Sequence, residues 1–360
     1  MPNDDDAHFE DARPTVYVDG EEKDDLRQGM LSLLVAESAD GMSRCEICFG
    51  NQGSQGQGVD FLYFDRKTLD FGKSVRIAYK GDLFEGRITA LEARFPKKSP
   101  PEIMVLAEDA LQDLRMVRRT RSFENQSDAD VFSAIATDHG MDKDVNLPGD
   151  KHKLLAQVNQ SDLAFLRDRA RAIEAELWIS MSNGKAKLSA KARAGRQSTS
   201  SVTLGLHNEL TEFTVLADLA TQRTSVIASG WDVSSKAAVK YESTDSDLGS
   251  ETQGADSGAA ILKKSFGERK ESVAHGVPWT AGEAEARAKG YLKATARKFV
   301  VGHGVARTTG DLRVGKVVDL DGLGPLFNGK YYLASVRHRF DGKSGLRTEI
   351  AAERAALGRP

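Results

Sequence analysis

The sequence predicts a mainly β protein with α+β character: two related β-barrel domains in one chain, an α/β insertion domain, and a helical segment before the last barrel. Three observations predict it. Apolar residues alternate along Gly72 to Ala110 and again along Leu312 to Ala352, the period of strands with one buried face. The composition changes at Ser127, where helix signals begin. A series of residues in the first meander recurs in the second.

Residues 1–13 read as an acidic tail, and residues 14–121 as the first β-barrel domain, completed by strands in 201–235. Thr15 to Asp19 is a strand ended by Gly20, and Arg44 to Phe49 is another. Leu26 to Glu37, between them, carries a helix-like apolar face. Gly50, Gly53, Gly56 and Gly58 mark a Gln-rich mobile loop without the order of a phosphate-binding loop. Val75, Ile77 and Tyr79 alternate, as do Thr89, Leu91, Ala93 and Phe95, before Ile103 to Ala107 closes the meander. The basic run Arg115 to Arg121 reads as a solvated linker or strand edge.

Residues 122–200 read as the insertion domain. Ser127 and Asp130 form a capping box, and Val131, Phe132, Ile135 and Ala136 make a helical stripe that stops at Gly140. Leu154 to Val158 is a strand. Ser161 caps a helix with Leu163, Leu166, Ala170 and Ile173 on one face. Leu177 to Met181 and Lys187 to Ala190 form a hairpin about Asn183-Gly184, a dipeptide that accepts positive φ. Residues 201–300 supply connecting strands, a mobile loop at 242–258 and a helix at 281–298, capped by Thr280 with Glu283 and facing inward through Ala284, Ala288, Tyr291, Thr295 and Phe299. The second β-barrel meander occupies 301–355.

The repeat aligns Gly72, Leu83, Phe84 and Gly86 with Gly315, Leu326, Phe327 and Gly329, at a constant offset of 243 residues without a gap. Lys73, Val75 and Arg94 match Lys316, Val318 and Arg337 on the same offset, which also sets His338 against Phe95. These eight residues are read as structural repeat turns, each Gly after Leu-Phe-x relieving a turn or bulge. A duplicated unit gives one chain two quasi-equivalent faces, so three chains in a ring present six.

Composition limits the function. The 50 basic and 53 acidic residues leave a net charge of −3, which provides no field for nucleic acid. No apolar run is long enough for a membrane helix, and the acidic start is unlike a signal peptide. Synthesis and assembly in the cytoplasm are expected. Cys45 and Cys48, the only cysteines, lack the partners of a zinc site and are expected to be structural. Gly324, Gly329 and Lys330 mimic a Walker spacing, but Tyr331 stands where Ser or Thr would hold magnesium. No G-x-S-x-G or H-E-x-x-H occurs, and His139 and His338 read as a helix-end residue and a packing or interface residue. No catalytic residue, metal or cofactor is expected.

The segment Leu155-Ala-Gln-Val-Asn-Gln-Ser-Asp-Leu-Ala-Phe-Leu-Arg, with Gly322-Leu-Gly-Pro-Leu-Phe-Asn-Gly-Lys-Tyr-Tyr-Leu-Ala-Ser-Val-Arg-His-Arg-Phe, resembles the late control protein D family of contractile phages. That family includes the hub part of the type VI secretion spike protein and the hubs of extracellular contractile injection particles. The resemblance runs from about Thr15 to Arg354. It implies a baseplate hub: a homotrimeric ring whose six barrels match the hexameric inner tube and whose lower side carries a trimeric spike, among other baseplate proteins. Because the second barrel runs almost to Pro360, the spike is expected as a separate polypeptide. The competing expectations are a carbohydrate-binding adhesin module, which would display exposed aromatics, and a cell-wall hydrolase. Against the adhesin, Trp178 falls in an apolar hairpin strand, which core packing explains.

Overall fold

The computed structural model describes residues 13–359 except 40, 56–57, 183, 198–200, 234 and 274–276. Residues 1–12 of the acidic tail, Gly56 and Asn183 of the turn dipeptide therefore lie outside the described residues.

The first half comprises β1 (Thr15–Val18), β2 (Met30–Ser38), β3 (Gly41–Gly50), β4 (Ser74–Ala78), β5 (Asp82–Arg94) and β6 (Glu102–Glu108). Alternate residues of these strands, among them Val16, Leu33, Val35, Ile47, Ile77 and Val105, meet in one core. The helical expectation for Leu26 to Glu37 is corrected here. Only α1 (Asp24–Gly29) is helical, and Met30 onward is strand, burying Leu33, Val35 and Glu37 at every second position. Leu31 and Leu34, apolar on the other face, gave the segment its false helical period. Within the Gln-rich stretch Gly53–Gln55 pairs with Gly58–Asp60.

The insertion consists of β7 (Arg118–Gln126), α2 (Asp128–Asp138), β8 (Asp142–Asn146), β9 (His152–Ser161), α3 (Asp162–Ala172), β10 (Ala175–Ser182) and β11 (Lys185–Ala192). Ser127 and Asp130 form a reciprocal capping box, and Ser161 caps α3 by accepting from the Ala164 amide. Phe132, Ile135, Leu163, Leu166 and Leu188 make a core separate from that of the strands on either side. Burying one such side chain contributes roughly 2–3 kcal/mol.

After α4 (Arg193–Arg196), the second half contributes β12 (Val202–Gly205), β13 (Leu210–Ala217), β17 (Val300–Ala306), β18 (Val317–Asp321), β19 (Gly329–Asp341) and β20 (Gly345–Arg354). Between β13 and β17 stand β14 (Ser225–Asp232), β15 (Ala237–Thr244) and β16 (Lys270–Val273), a three-stranded sheet, with α5 (Gly258–Phe266) and α6 (Ala281–Arg297).

Thr280 caps α6 by accepting from the Glu283 amide. The helix buries Ala284, Ala288, Leu292 and Ala296, a strict i, i+4 row, whereas Tyr291 faces outward to donate to Glu271 at 2.8 Å. The segment 242–258 is not the expected loop: it ends β15, turns through a 3-10 helix at Asp245–Thr252 and leads into α5. Its polar residues serve as caps. Asp247 accepts from the Thr244 amide at 3.0 Å and from Ser243 Oγ at 3.1 Å, above buried Leu248.

The protein is thus mostly strand, in large antiparallel sheets. The ladder runs unbroken through both halves, in the order β13-β17-β20-β19-β2-β3-β6-β5-β4-β1, with β12 and β18 branching from β19. Among the described residues no helix is long and apolar enough to cross a membrane.

Candidate functional site

The halves share one strand order: β1-β4-β5-β6-β3-β2 in the first, β12-β18-β19-β20-β17-β13 in the second. Their irregularities coincide as well. Ile88 faces Ala107 and Ala90 faces Leu106, leaving Thr89 as a bulge; Leu333 faces Ala352 and Ser335 faces Ala351, leaving Ala334. Met30 faces Phe49 and Ser32 faces Cys48, leaving Leu31; Leu210 faces Ala306 and Glu212 faces Val305, leaving Thr211. Bulges re-aim a strand, and two of them at matching places in matching strands define the same curvature twice. The halves also differ: β1 runs antiparallel to β4 while β12 runs parallel to β18, and the register shifts between Ala36 and Ser38 and between Ile77 and Ala78 have no match in the second half.

The register corrects the sequence alignment. In the first meander Gly72 N donates to Ile88 O and Ile88 N to Lys73 O; in the second Gly315 N donates to Leu333 O and Leu333 N to Lys316 O. Gly72 and Gly315 both have positive φ, at +80° and +92°. The offset is therefore 243 at the first strand, but 245 along β5 and β19. Two further residues sit in the β18–β19 turn, so Leu83 and Phe84 are not the counterparts of Leu326 and Phe327. Leu83 and Phe84 are buried strand residues, whereas Leu326 is in the turn and 37% exposed. Gly86 and Gly329 also differ. A Cβ on Gly86 would meet the Glu108 carbonyl oxygen at 2.3 Å, while Gly329 is glycine for its φ of +121°. The register pairs His338 with Ala93, and Phe340 with Phe95.

The halves meet where β19 changes partners. Its first residues pair with β18, Val317 facing Tyr332, and Ser335–Asp341 pair with β2, from Ser335 opposite Ser38 to Asp341 opposite Ser32. Phe340 is thereby buried in the first half's core. Behind this seam the Arg313 guanidinium bonds Glu37 and donates to the Asp82 carbonyl at 2.9 Å, and Glu37 accepts from the Val314 amide at 3.2 Å. His338 has no exposed surface. Its Nδ1 lies 2.8 Å from Thr348 Oγ1, itself 2.8 Å from Thr308 Oγ1. Burial, with Arg313 nearby, pushes this imidazole down to about 3.

An open crevice of about 430 Å³ beside the seam is lined by Glu37, Asp109, Trp178, Arg196 and Arg313. Asp109 accepts from the Ser43 and Leu111 amides at 2.6 and 2.9 Å, and burial raises its carboxyl to about 6. A buried ion network fixes the insertion to the second half: Glu176 accepts from Arg196 at 2.8 Å and from the Tyr332 hydroxyl, and Glu353 accepts from Arg193 at 2.8 Å. Sequence reasoning missed these arginines, because the carboxylates they need lie 20 to 160 residues away.

The remaining candidates are scattered. His139 ends α2 and meets Asp162 at 2.9 Å, where Arg121 and Gln157 also bond. Lys330, in the Walker-like spacing, is a strand residue opposite Asp319. Cys45 and Cys48 are free and buried; burial pushes the first thiol well up and the second to about 11, which disfavours the reactive thiolate. Among the described residues no group of three or more His, Cys, Asp or Glu is placed to hold a metal ion. Trp178 is half-buried with Arg196 over its ring, while Trp231 and Trp279 are 52% and 63% exposed, so core packing does not account for all three tryptophans.

With the doubled sheet in view, the chain can be compared with known proteins. The family model described as the Alg8 N-terminal domain matches residues 10–341. The chain belongs to the Alg8 N-terminal domain family. A search of curated proteins found no match. Among solved structures, the 43 kDa tail protein of prophage MuSo2 from Shewanella oneidensis is similar with a TM-score of 0.67 at 14% identity, over 96% of this chain and 99% of that one. A tail protein from Neisseria meningitidis MC58 gives 0.67 at 12% identity, over 95% and 96%. The E. coli c3393 protein gives 0.56 at 12% identity, over 92% and 76%; it is described as a type VI secretion component structurally similar to the T4 tail proteins gp27 and gp5. At these identities the likeness is one of fold: this Alg8 N-terminal domain family member has the fold of phage tail proteins and of a secretion-system component.

Proposed function

We propose that the chain is a structural, non-enzymatic part of a phage-tail-like contractile machine, the hub of its baseplate. Three copies form a ring in which each strand half acts as one barrel-like unit. Six units then face the hexameric inner tube, and the three-fold side receives a trimeric spike. The observation that carries this reading is the doubled unit: two halves of one chain agree in strand order and in two bulge positions. A three-membered assembly of such chains has six-fold quasi-symmetry on one face. The shared fold with tail proteins supports the same setting.

The test is the mass of the purified chain in solution. A species of about three times 39.2 kDa is expected, with the tube protein retained by the ring and not by a monomeric fraction. A monomer at every concentration, alone and with the spike protein present, overturns the proposal. Exposed Trp231 and Trp279 favour a second reading, a carbohydrate-binding module. Glycan-array binding that is lost on Trp231→Ala or Trp279→Ala, from a chain that never trimerises, would select it.

A further inference from the structure

The seam inside the chain is a template for a contact the lone chain does not make. β19 uses one edge twice, first for β18 and then for β2. Its counterpart β5 uses the corresponding edge once: Asp82–Arg87 pair with β4, and beyond the bulge the strand continues to Arg94 with only β6 beside it among the described strands. Likewise β13, the counterpart of β2, pairs along its length with β17 alone among the described strands, apart from a single bridge between Leu206 and Leu210, and ends the ladder. Each chain therefore carries one unfilled copy of each partner in the seam.

We infer that the distal edge of β5 in one copy pairs antiparallel with β13 of a second copy, in the register of the β19–β2 seam. Carried over by the structural equivalences, that register sets Leu91 opposite Ala217, Glu92 opposite Leu216, Ala93 opposite Val215, Arg94 opposite Thr214 and Phe95 opposite Phe213. Phe95 is the strongest local support. Its counterpart Phe340 is 5% exposed in the core of the neighbouring half, while Phe95 is 65% exposed and touches only the rings of Phe61 and Phe64, at 6.3 and 6.0 Å, among the aromatic contacts described. Leu216, on the receiving edge, is 63% exposed. Arg94 also comes diagonal to Glu212, within reach of an ion pair. An edge left open is a site for strand addition, and here the added strand is the chain's own counterpart. Because the two edges differ, the contact is head-to-tail rather than two-fold, and the proposed ring is its closed form.

This inference rests on the proposed ring, and cross-linking of the full chain separates the two. Directly opposed strand residues lie within disulfide range, and diagonal ones at roughly 7–8 Å do not. Under mild oxidation the double variants Glu92→Cys/Leu216→Cys and Arg94→Cys/Thr214→Cys are expected to give covalent dimers and trimers, dissolved by reductant. The slipped pair Glu92→Cys/Thr214→Cys is expected to stay monomeric on the denaturing gel. Phe95→Ser should leave the melting of the isolated chain unchanged and raise the concentration for half-assembly roughly tenfold or more. A trimer by mass in which the slipped pair links and the in-register pairs do not refutes the register and leaves the ring standing. A chain that is monomeric throughout refutes both.

Discussion

Replacing His338 with Gln tests how dry the seam is. His338 has no exposed surface, and its Nδ1 meets Thr348, an arrangement that suits a neutral ring. Folding lowers its pKa from 6.5 to about 3, with burial the main cause and the Arg313 charge the next. The same Arg313 guanidinium bonds Glu37. A base whose folded pKa is depressed contributes full stability above its unfolded pKa and loses it as pH falls, because the unfolded chain takes up the proton first. The loss begins near pH 6.5. It amounts to about 2 kcal/mol at pH 5 and roughly 5 kcal/mol below pH 3. Gln keeps a neutral hydrogen-bonding group and does not titrate. Denaturant midpoints measured from pH 7.5 to 4.5 should therefore converge: His338→Gln weaker than the native chain at neutral pH, and relatively stronger by about 2 kcal/mol at pH 5. Every other titrating group is common to both proteins and cancels in the difference. Two curves that stay parallel over that range refute the claim that the imidazole is buried uncharged.

Asp109 acts in the opposite sense, since its folded pKa of about 6 lies above the ordinary 3.8: its contribution is present below pH 3.8 and is lost as pH rises through 6, roughly 3 kcal/mol in all. Asp109→Asn should remove that trend in the same midpoint titration. Glu176→Gln leaves Arg193 and Arg196 with only Glu353 to balance them and should destabilise the chain by about 3 kcal/mol in chemical denaturation, with the loosening of the insertion visible as faster proteolysis near residues 193–197. Gly86→Ala drives a methyl to 2.3 Å from a backbone oxygen and should cost about 1–3 kcal/mol, while Gly50→Ala, with nothing within 4 Å, should fall within about 0.5 kcal/mol of the native chain.

Where local chemistry decides an element, the sequence is a sufficient guide. The capping box at Ser127, the cap at Ser161 and the pair Thr280 and Glu283 each satisfy orphan amides from within four residues, and each helix begins where those residues stand. Strand residues with one dry face, such as Val75 and Ile77, are equally legible. Local reasoning fails where both faces matter. Met30–Ser38 carries apolar residues on both faces, Leu33 and Val35 inward and Leu31 and Leu34 outward, and its ladder partners β3 and β19 are not recorded by any residue inside the segment. The polar run at 242–258 fails for the converse reason: Ser, Thr and Asp side chains that suit a loop also suit caps and a 3-10 turn, and Lys289 on α6, 3.3 Å from Asp247, helps to select the latter.

The misplaced second half of the repeat has a physical cause of the same kind. Side chains in a strand alternate with period two, so sliding one copy by two residues returns every side chain to the face it had before. Offsets of 243 and 245 are therefore equally consistent with the inward and outward pattern, and the coincidence of Leu-Phe-x-Gly in both copies favours the wrong one. A bulge breaks the degeneracy, because it sets two residues against one and so fixes which residue is opposite which. Thr89 and Ala334 carry that information only through Ala107 and Ala352 on the next strand. A doubled fold can thus be recognised from one sequence, whereas its register has to be measured between strands. The same degeneracy bears on the proposed contact between copies: a slip of two would still bury apolar residues, and what opposes it is that Phe95 would leave Phe213.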